Sequence, residues 1–434
     1  MRTFIGGIHP PYEKITQERK IVVAEIPPRV ILPLNQHIGA PAVPLVKVGD
    51  KVKVGQKIAE ANGFVSVPAH ASVSGEVIEI AELPHPLQEK SLAMVLKSDG
   101  KNSWDNSVKK RKNVENLSKE KIIEIIKEAG IVGMGGAGFP THVKLTPPKG
   151  VQIDTVILNG AECEPYLTCD DRLMQEKTKE ILKGLKLIMK VTQAERAFIG
   201  IEDNKKAAIA ALENEVKEEN IKVVSLKTKY PQGAEKMLIF SLTKRKVPPG
   251  KLPLNVGVVV NNVGTSKAIY DAVYEGKPLV ERVVTVTGQV KEPQNLLVRI
   301  GTPFKNLIEF CGGYQGDPYK LTSGGPLMGI AQITDLVPVI KGTSGILVLG
   351  KQKEEKENPC LRCSRCIDVC PMSLLPTTIA KLADKNQFAL CEQYHALDCF
   401  ECGACAFVCP SQIPLVKKIK YAKKKITELK TKKK

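Results

Sequence analysis

Short runs of alternating apolar and polar residues fill the first hundred positions of the chain. Residues 43–52 (VPLVKVGDKV) predict a strand, a Gly-Asp turn and a second strand. Residues 65–67 and 73–78 continue in the same style with valine-rich strands. The pattern predicts a small β module over residues 1–97, followed by a polar, lysine-rich linker over residues 98–117.

The middle of the chain alternates between helical and strand periodicity. Ser118 is placed to cap a helix whose apolar face contains Ile122, Ile123, Ile126 and Ala129, and Gly130 ends it. Strands are then predicted at 156–158, 197–199, 223–225 and 256–260, with helices at 176–189 and 205–216. This alternation predicts a Rossmann-like α/β domain with a mainly parallel sheet over residues 118–280.

Strand patterns return from residue 281, and a short helix is predicted from Pro303 to near Cys311. Residues 281–350 are therefore predicted to form a second β-rich domain. A charged run, KQKEEKEN, leads into a cysteine-rich helical module over residues 351–415. In the tail over residues 416–434, an apolar stripe at spacings of three, four and three predicts a helix; its members are Ile419, Ala422, Ile426 and Leu429.

The net charge of +18 is concentrated in two segments. Residues 417–434 contain ten lysines and one glutamate, and residues 97–121 contain eight basic and four acidic residues. The rest of the chain is near neutral, and aromatic residues make up 5% with a single tryptophan, Trp104. This distribution argues against a nucleic-acid partner, which requires a basic folded face. The tail is either a solvated end or a contact for an anionic membrane surface or an acidic subunit.

The apolar runs are too short for a transmembrane helix. The best candidate, residues 329–350, contains Asp335 and Lys341, and the glycine-rich opening residues do not form a signal peptide. The sequence therefore predicts a chain that stays in the cytoplasm.

The strongest chemical motif is a duplicated run of four cysteines, each run ending in Cys-Pro. Three cysteines spaced two residues apart wrap one cluster, and the fourth cysteine of each run ligates the other cluster. One [4Fe–4S] cluster is thus assigned to Cys360, Cys363, Cys366 and Cys409, and the other to Cys399, Cys402, Cys405 and Cys370. Structural zinc is the alternative for a four-cysteine set, although zinc sites usually use two separated pairs. Cys391 is outside the pattern and is predicted to be a core thiol.

Residues 133–138 (GMGGAG) match the dinucleotide-binding pattern G-x-G-x-x-G, and Asp154 follows at about the distance of a ribose-binding acid. The context does not fit that motif, because a helix precedes the glycines and Phe139-Pro140-Thr141 follows them in place of a helix opening. Taken alone, the run is as well explained by a glycine-rich turn without a ligand.

Three longer stretches of sequence change that interpretation. GMGGAGFPTHVK (133–144), NGAECEP (159–165) and VNNVGT (260–265) resemble the flavin loops of the NADH-binding flavoprotein subunit of respiratory complex I. Glycines allow close backbone approach to a flat ring, Lys144 suits a phosphate, Phe139 suits stacking and asparagines suit the flavin or ribitol. Four acids are candidates for nicotinamide, amide or ribose groups, or are solvated loop carboxylates. The candidate residues are Gly133, Gly135, Gly136, Phe139, Lys144, Asn159, Glu162, Glu164, Glu202, Asp203, Asn261, Asn262 and Thr265.

With the opening phrase FIGGIHP (4–10), nearly the whole chain resembles the C subunits of the Rnf ion-translocating ferredoxin:NAD oxidoreductase complexes. The resemblance implies a multidomain α/β plus β protein. Its parts are a barrel-sandwich hybrid module, the flavoprotein domain, a β-grasp domain of the SLBB type and a two-cluster ferredoxin-like module. The first module is similar to biotinyl and lipoyl carriers, but its tip, residues 60–64 (EANGF), has no lysine, so it is predicted to be a structural docking piece.

The same resemblance implies FMN and two [4Fe–4S] clusters as cofactors, with NAD(H) as substrate. It also implies other subunits of the complex as partners and a peripheral position at the cytoplasmic face of the membrane. A nicotinamide exchanges two electrons as a hydride, a cluster carries one, and a flavin mediates between them, so no general acid–base residue is predicted. The alternatives are a soluble flavin and iron–sulfur NADH reductase of the cobalamin reductase or hydrogenase type, or a non-catalytic electron-relay scaffold.

Overall fold

The computed structural model describes residues 2–351 and 356–432 of the chain. The strands are β1 (Ile21–Val23), β2 (Arg29–Pro33), β3 (Val43–Pro44), β4 (Lys51–Val52), β5 (Lys57–Glu60), β6 (Ala69–His70), β7 (Gly75–His85), β8 (Gln88–Ser98), β9 (Thr155–Gly160), β10 (Arg196–Glu202), β11 (Ile221–Leu226), β12 (Val258–Asn262), β13 (Glu281–Gly288), β14 (Gln294–Arg299), β15 (Pro318–Ser323), β16 (Ile330–Gln332) and β17 (Gly345–Gly350).

The helices are α1 (Lys119–Glu128), α2 (Thr141–Lys144), α3 (Cys169–Glu176), α4 (Thr178–Thr192), α5 (Lys206–Glu215), α6 (Glu235–Thr243), α7 (Val263–Tyr270), α8 (Phe304–Phe310), α9 (Arg365–Asp368), α10 (Pro376–Asp384), α11 (Phe388–Gln393), α12 (Ala404–Phe407) and α13 (Leu415–Lys432). Short 3₁₀ turns occur at Val114–Asn116, Pro253–Val256 and Ala396–Asp398, and a π turn follows α7 at Asp271–Glu275. Among these helices, none combines the length and the apolar character that a membrane crossing requires.

The predicted small β module consists of two antiparallel sheets, with strand orders β2-β8-β7-β4 and β3-β5-β6. The long hairpin of β7 and β8 supplies Val77, Met94 and Leu96 to a core that also contains Val30 and Ile58 and continues into the middle domain. Residues 2–20 lie outside this module. They run along other parts of the molecule and form isolated bridges to Leu226 and Tyr230.

The middle domain contains the predicted parallel sheet, with strand order β11-β10-β9-β12 and every neighbouring pair parallel. α1 begins after Ser118, whose side chain accepts a hydrogen bond from the Lys121 amide, as predicted. The helix predicted over 176–189 is confirmed as α4, with its ends shifted by two and three residues. A second helix, α3, which the sequence did not predict, precedes it and meets it at Lys177. Its first amides donate to the carboxylate of Glu162, which lies in a separate loop.

The second β-rich domain is a six-stranded sheet with the order β1-β14-β13-β17-β15-β16. Its core contains Val284, Leu296, Phe304 and Ile346, and the predicted helix after Pro303 packs there as α8. The edge strand β1 comes from the N-terminal region and pairs in parallel with β14. β1 has only three residues, and so short a pattern could not have predicted this long-range pairing.

The cysteine-rich module is helical, and α13 is part of its core. Ile419, Ala422 and Ile426 of the predicted stripe are buried against α10 and α11, whereas Leu429 is 48% exposed. Cys391 is buried in the same core, as predicted. The apolar stripe of the tail therefore stabilises the module itself.

Candidate functional site

The sequence-predicted asparagines meet at one edge of the parallel sheet. Asn262 at the end of β12 is in register with Asn159 near the end of β9. The chain passes from β9 to β10 and β11 on one side of β9 and then returns to β12 on the other side, so the strand order reverses between β9 and β12. Open α/β sheets bind ligands outside the carboxyl ends of their strands at such a switch point. The sheet topology therefore indicates a ligand site at the edge that carries Asn159, Asn261 and Asn262, independently of the sequence motifs.

The glycine-rich loop lies against the same edge. The Met134 amide donates to Oγ1 of Thr265 at 2.9 Å, which fixes the loop to the first turn of α7. A Cβ added to Gly135 would lie 2.5 Å from Nδ2 of Asn262, whereas a Cβ on Gly136 would have no neighbour within 4 Å. A one-turn helix, α2, begins directly after Pro140, where the sequence predicted no helix opening. The isolated proline-capped turn is too short to leave a periodic pattern.

Asn262 also connects the site to a pair of crowded carboxylates. Its Oδ1 accepts from the Gly264 amide at 2.7 Å and its Nδ2 donates to Oδ2 of Asp170 at 2.6 Å. Ligand atoms of Glu162, Cys169 and Asp170 all lie within 4.8 Å of one another. Burial raises the pKa of Glu162 to about 7 and raises the pKa of Asp170. Sequence reasoning missed Asp170, since no motif marks it.

A half-buried lysine from the N-terminal segment holds the NGAECEP loop. Nζ of Lys14 donates to the carbonyl oxygens of Glu162, Glu164 and Leu167 at 2.9, 3.0 and 2.5 Å. Glu162 itself has a positive φ of 44°, a conformation that such bonds help to maintain. Lys14 lies far before its partners in the chain, so no local signal could have found it.

The predicted phosphate and stacking residues flank this edge. Lys144, the last residue of α2, places its Nζ 2.7 Å from Oε1 of Glu235 in a half-exposed ion pair. Phe139 is half-buried at the end of the glycine loop. The Asp154 carboxylate pairs with Arg245 and Arg196 instead of pointing to a ligand, which agrees with rejecting a dinucleotide-binding role for it.

The structure gives protein partners to the other three candidate acids. Glu164 accepts the Leu327 and Met328 amides at 3.1 and 2.7 Å. Glu202 forms a buried ion pair with Lys205 at 3.2 Å, and Asp203 accepts from Thr228. That these acids bind NAD(H) stays a prediction, and the observed bonds show that each also fixes a loop at the carboxyl edge.

The glycine loop leaves an open face that fits a bound flavin. Gly135, Gly136 and Ala137 are exposed, and a Cβ on Gly136 would have no neighbour within 4 Å. A glycine backbone lets a flat ring or a phosphate approach closely. Within the described chain, Nδ2 of Asn261 and Oγ1 of Thr141 are buried without a hydrogen-bond partner, but both atoms are closed to a ligand in this conformation.

The first predicted cluster set surrounds a single cavity. Cys360, Cys363, Cys366 and Cys409 line a space of about 310 Å³, with Arg362 and Lys381 at its rim. Cys363 is exposed, and Cys366 and Cys409 are buried. The fourth cysteine of the second run thus lies beside the first three cysteines of the first run, as interleaved ligation requires.

The second predicted set is more deeply placed. Burial, together with the neighbouring thiols of Cys399 and Cys370, raises the pKa of Cys402 to about 12. Burial also raises the pKa of Cys405, to which Cys402, Cys399 and Cys370 add. Cys402 and Cys405 are buried and Cys370 and Cys399 are partly buried. This setting suits a metal cluster, whose positive charge stabilises the thiolates that burial disfavours.

Sequence families match the chain part by part. Residues 126–271 match the Nuo51 FMN-binding domain and residues 2–101 match the RnfC barrel sandwich hybrid domain. Residues 283–331 match the SLBB domain and residues 359–413 match the 4Fe-4S dicluster domain. Each of the four predicted parts of the chain therefore has its own family match.

Whole-chain relatives decide the family. The C subunit of the proton-translocating ferredoxin:NAD(+) oxidoreductase complex of Clostridium ljungdahlii is 49% identical over 98% of this chain and 94% of that protein. The chain belongs to the RnfC family. The C subunit of the Na(+)-translocating ferredoxin:NAD(+) oxidoreductase complex of Acetobacterium woodii is 47% identical over 98% of this RnfC chain and 97% of its own length.

A solved structure shares the fold. The NAD+-reducing [NiFe]-hydrogenase in its H2-reduced state superposes with a TM-score of 0.51 at 18% identity, over 71% of this RnfC chain and 63% of that chain. The family assignment confirms the predicted four-part architecture, with an FMN-binding domain and a 4Fe-4S dicluster domain in a subunit of an ion-translocating ferredoxin:NAD+ oxidoreductase complex. It also decides against the soluble reductase alternative.

Proposed function

We propose that this RnfC chain is the subunit at which NAD(H) exchanges electrons with the Rnf complex. The observation that carries the proposal is the register of Asn159 with Asn262 at the switch point of the parallel sheet, beside the glycine loop. The fold and the flavin-loop resemblance both favour that edge for the same ligand. The two cysteine sets complete a chain of electron carriers within one polypeptide.

FMN, when bound, exchanges two electrons with a nicotinamide and single electrons with iron–sulfur clusters. The protein binds and orients it. Backbone groups of Gly133, Gly135 and Gly136 allow close approach, and Asn159, Asn261 and Asn262 supply amide groups at the strand ends. Lys144 is the phosphate partner, and Glu235 competes with the phosphate for its charge. Thr265 and Lys14 fix the two loops around the site.

In this proposal the four candidate acids hold the structure around the site in place. Glu162 caps α3, because its carboxylate accepts the amides of Asp170 and Asp171 at 2.7 and 3.1 Å. Glu164, Glu202 and Asp203 fix neighbouring loops, and they contribute to NAD(H) binding through the shape and charge of the pocket wall. The hydride step itself requires no proton transfer by a side chain, since the hydrogen nucleus moves together with both electrons.

A dye assay on the isolated chain tests this function. Anaerobically prepared protein loaded with FMN and iron is expected to reduce a viologen or ferricyanide dye with NADH, and Lys144→Ala is expected to lower FMN content and rate together. Lys149→Ala, an exposed lysine shortly after α2, is the matched control and is expected to behave as the unchanged chain. A non-catalytic scaffold would hold both cofactors and show no NADH-dependent dye reduction.

We also propose that the chain is peripheral at the cytoplasmic face of the membrane and that α13 contributes to contact with the anionic surface. Lys418, Lys420, Lys423, Lys425 and Lys430 pair with acids of the cysteine module or of α13 itself. Lys417 and Lys424 are described without such a pairing, whereas Lys433 and Lys434 lie outside the described residues. The lysines left for a lipid surface are therefore fewer than the sequence suggests.

Vesicle flotation tests the proposed contact between α13 and the anionic membrane surface. The double substitution Lys417→Glu with Lys424→Glu is expected to lower binding to anionic vesicles at low salt, because each lysine near such a surface is worth about 1 kcal/mol. Lys149→Glu with Lys251→Glu changes the net charge equally and is expected to have little effect. Equal losses in the two variants would show a response to net charge alone.

A further inference from the structure

The opening residues of the chain connect the flavoprotein domain to the cysteine module. Residues 4–8, here called the N-terminal clasp, lie between the two. The Gly7 amide donates to the carbonyl oxygen of Val369 at 2.8 Å, next to Cys370. Ile8 and Tyr230 exchange two backbone hydrogen bonds of 2.8 and 2.9 Å. A Cβ on Gly6 would lie 2.9 Å from the Val369 carbonyl oxygen, so the clasp fits tightly against the Cys370 loop.

Tyr230 makes a second connection to the same cysteine set. Its phenol donates to the carbonyl oxygen of Cys402 at 2.6 Å, and its side chain is 1% exposed. Ile8, Tyr230, Cys402 and Ala404 form one apolar cluster, against which Cys163 of the NGAECEP loop also packs. Sγ of Cys163 accepts from the Gly233 amide at 3.3 Å, and the Gly233 carbonyl accepts from Nδ2 of Asn159 at 2.8 Å. A continuous packed path thus joins the predicted flavin edge to Cys402.

The other cysteine set shows no such attachment within the described chain. Its cavity opens beside exposed residues, with Cys363 exposed and the neighbouring Leu361 71% exposed. The two sets therefore differ in their surroundings: one is fixed to the flavoprotein domain, and the other faces outward.

We propose that Cys370, Cys399, Cys402 and Cys405 hold the flavin-side cluster, and that Tyr230 and the N-terminal clasp are its positioning residues. Cys360, Cys363, Cys366 and Cys409 then hold the outer cluster, which meets the electron partner. This inference rests on the proposed function. In the balanced step, NADH would give one hydride to the bound flavin and become NAD⁺. The two electrons would then leave one at a time through the flavin-side cluster and the outer cluster to the electron partner, and the proton of the hydride would be released to solvent. A close-packed interior suits this role because it holds the cofactor loops at constant separation.

Single-cysteine variants test the order of the clusters. Cys363→Ala removes a ligand of the outer cluster, and NADH is expected to reduce the remaining cluster, seen as its EPR signal after rapid freezing. Cys402→Ala removes a ligand of the flavin-side cluster, and NADH is expected to bleach the flavin while the remaining cluster stays oxidised. Dithionite is expected to reduce the remaining cluster in both variants, which shows that each is loaded. Equal reduction by NADH in the two variants, or the opposite pattern, would overturn the proposed order.

Tyr230→Phe tests the positioning role without removing a ligand. It deletes only the hydroxyl that bonds to the Cys402 carbonyl, and a redox titration with dithionite is expected to show a shifted midpoint potential for one of the two EPR signals. The shifted signal must be the one absent from Cys402→Ala. Tyr421→Phe is the matched control, since its phenol bonds to Asn386 at 3.4 Å near the surface. Unchanged potentials in Tyr230→Phe would contradict the positioning role. The titration uses no NADH, so its outcome does not depend on whether the chain oxidises NADH as proposed.

Discussion

The Cβ position of Gly135 lies 2.5 Å from Nδ2 of Asn262, closer than real side-chain atoms approach one another. Asn262 is itself held at both ends, by the Gly264 amide and by Asp170. The glycine loop and the end of β12 are therefore in contact at a point that excludes a side chain at position 135. This contact explains why a glycine is needed at 135 without reference to a ligand.

Three of the four glycines in the loop are expected to respond differently to alanine. Gly135→Ala should displace Asn262 and lower FMN retention together with the melting temperature. Gly136→Ala meets open space, so it should leave the melting temperature of the flavin-free chain unchanged and still weaken FMN binding. Gly133→Ala, whose nearest neighbour would be at 3.7 Å, should be tolerated. Fluorescence titration with FMN and thermal melts measure both effects. If Gly136→Ala binds FMN normally, the flavin does not lie on that face.

The ion pair of Lys144 with Glu235 gives a second prediction. Half-exposed pairs of this kind are worth about 0–1 kcal/mol, so breaking the pair should barely change stability. Glu235→Gln should preserve or strengthen FMN binding, because it leaves the lysine charge free for phosphate. Lys144→Met should weaken binding by removing that charge. Dissociation constants for FMN would decide; equal weakening by both substitutions would indicate that the pair matters only as a structural contact.

α13 is predicted to be essential for the cysteine module. Ile426→Asp places a charge in the buried core with Cys391 and Ile379, at a cost of several kcal/mol. Iron content after reconstitution is expected to fall sharply. Leu429→Asp, one turn further along on the exposed side, should retain full iron content. A module that loads iron normally with Asp at position 426 would show that α13 is dispensable.

Lys341 is predicted to make stability depend on pH. Its Nζ donates to the carbonyl oxygens of Pro68 and Gly130 at 3.0 and 2.7 Å, and burial lowers its pKa from 10.5 to about 7. Between these values the unfolded chain binds more protons than the folded one, so this residue makes stability rise with pH. The melting temperature of Lys341→Met should therefore fall further below that of the unchanged chain at pH 9 than at pH 7. Lys149→Met should show a constant difference across the same range.

Local patterns predicted much of this molecule. The cap at Ser118, the parallel sheet, the helix after Pro303 and the burial of Cys391 all follow from short-range rules, and the structure confirms them. Those predictions succeed because periodicity and capping depend on neighbours within a few residues.

The sequence did not reveal contacts between distant segments. Lys14, β1 and the N-terminal clasp all bind partners far along the chain, and Glu162 caps a helix from a separate loop. The stripe of α13 was predicted correctly as a pattern, but the surface that buries it could not be read from its spacing. Long-range packing of this kind leaves no period in the sequence.

Anaerobic titration of the reconstituted chain with NADH tests the central claim most directly. The account predicts about eight irons per flavin, bleaching of the flavin absorbance by NADH, and EPR signals of reduced clusters that appear without any added mediator. A chain that holds flavin and iron, is reduced by dithionite and shows no change with NADH would contradict the account.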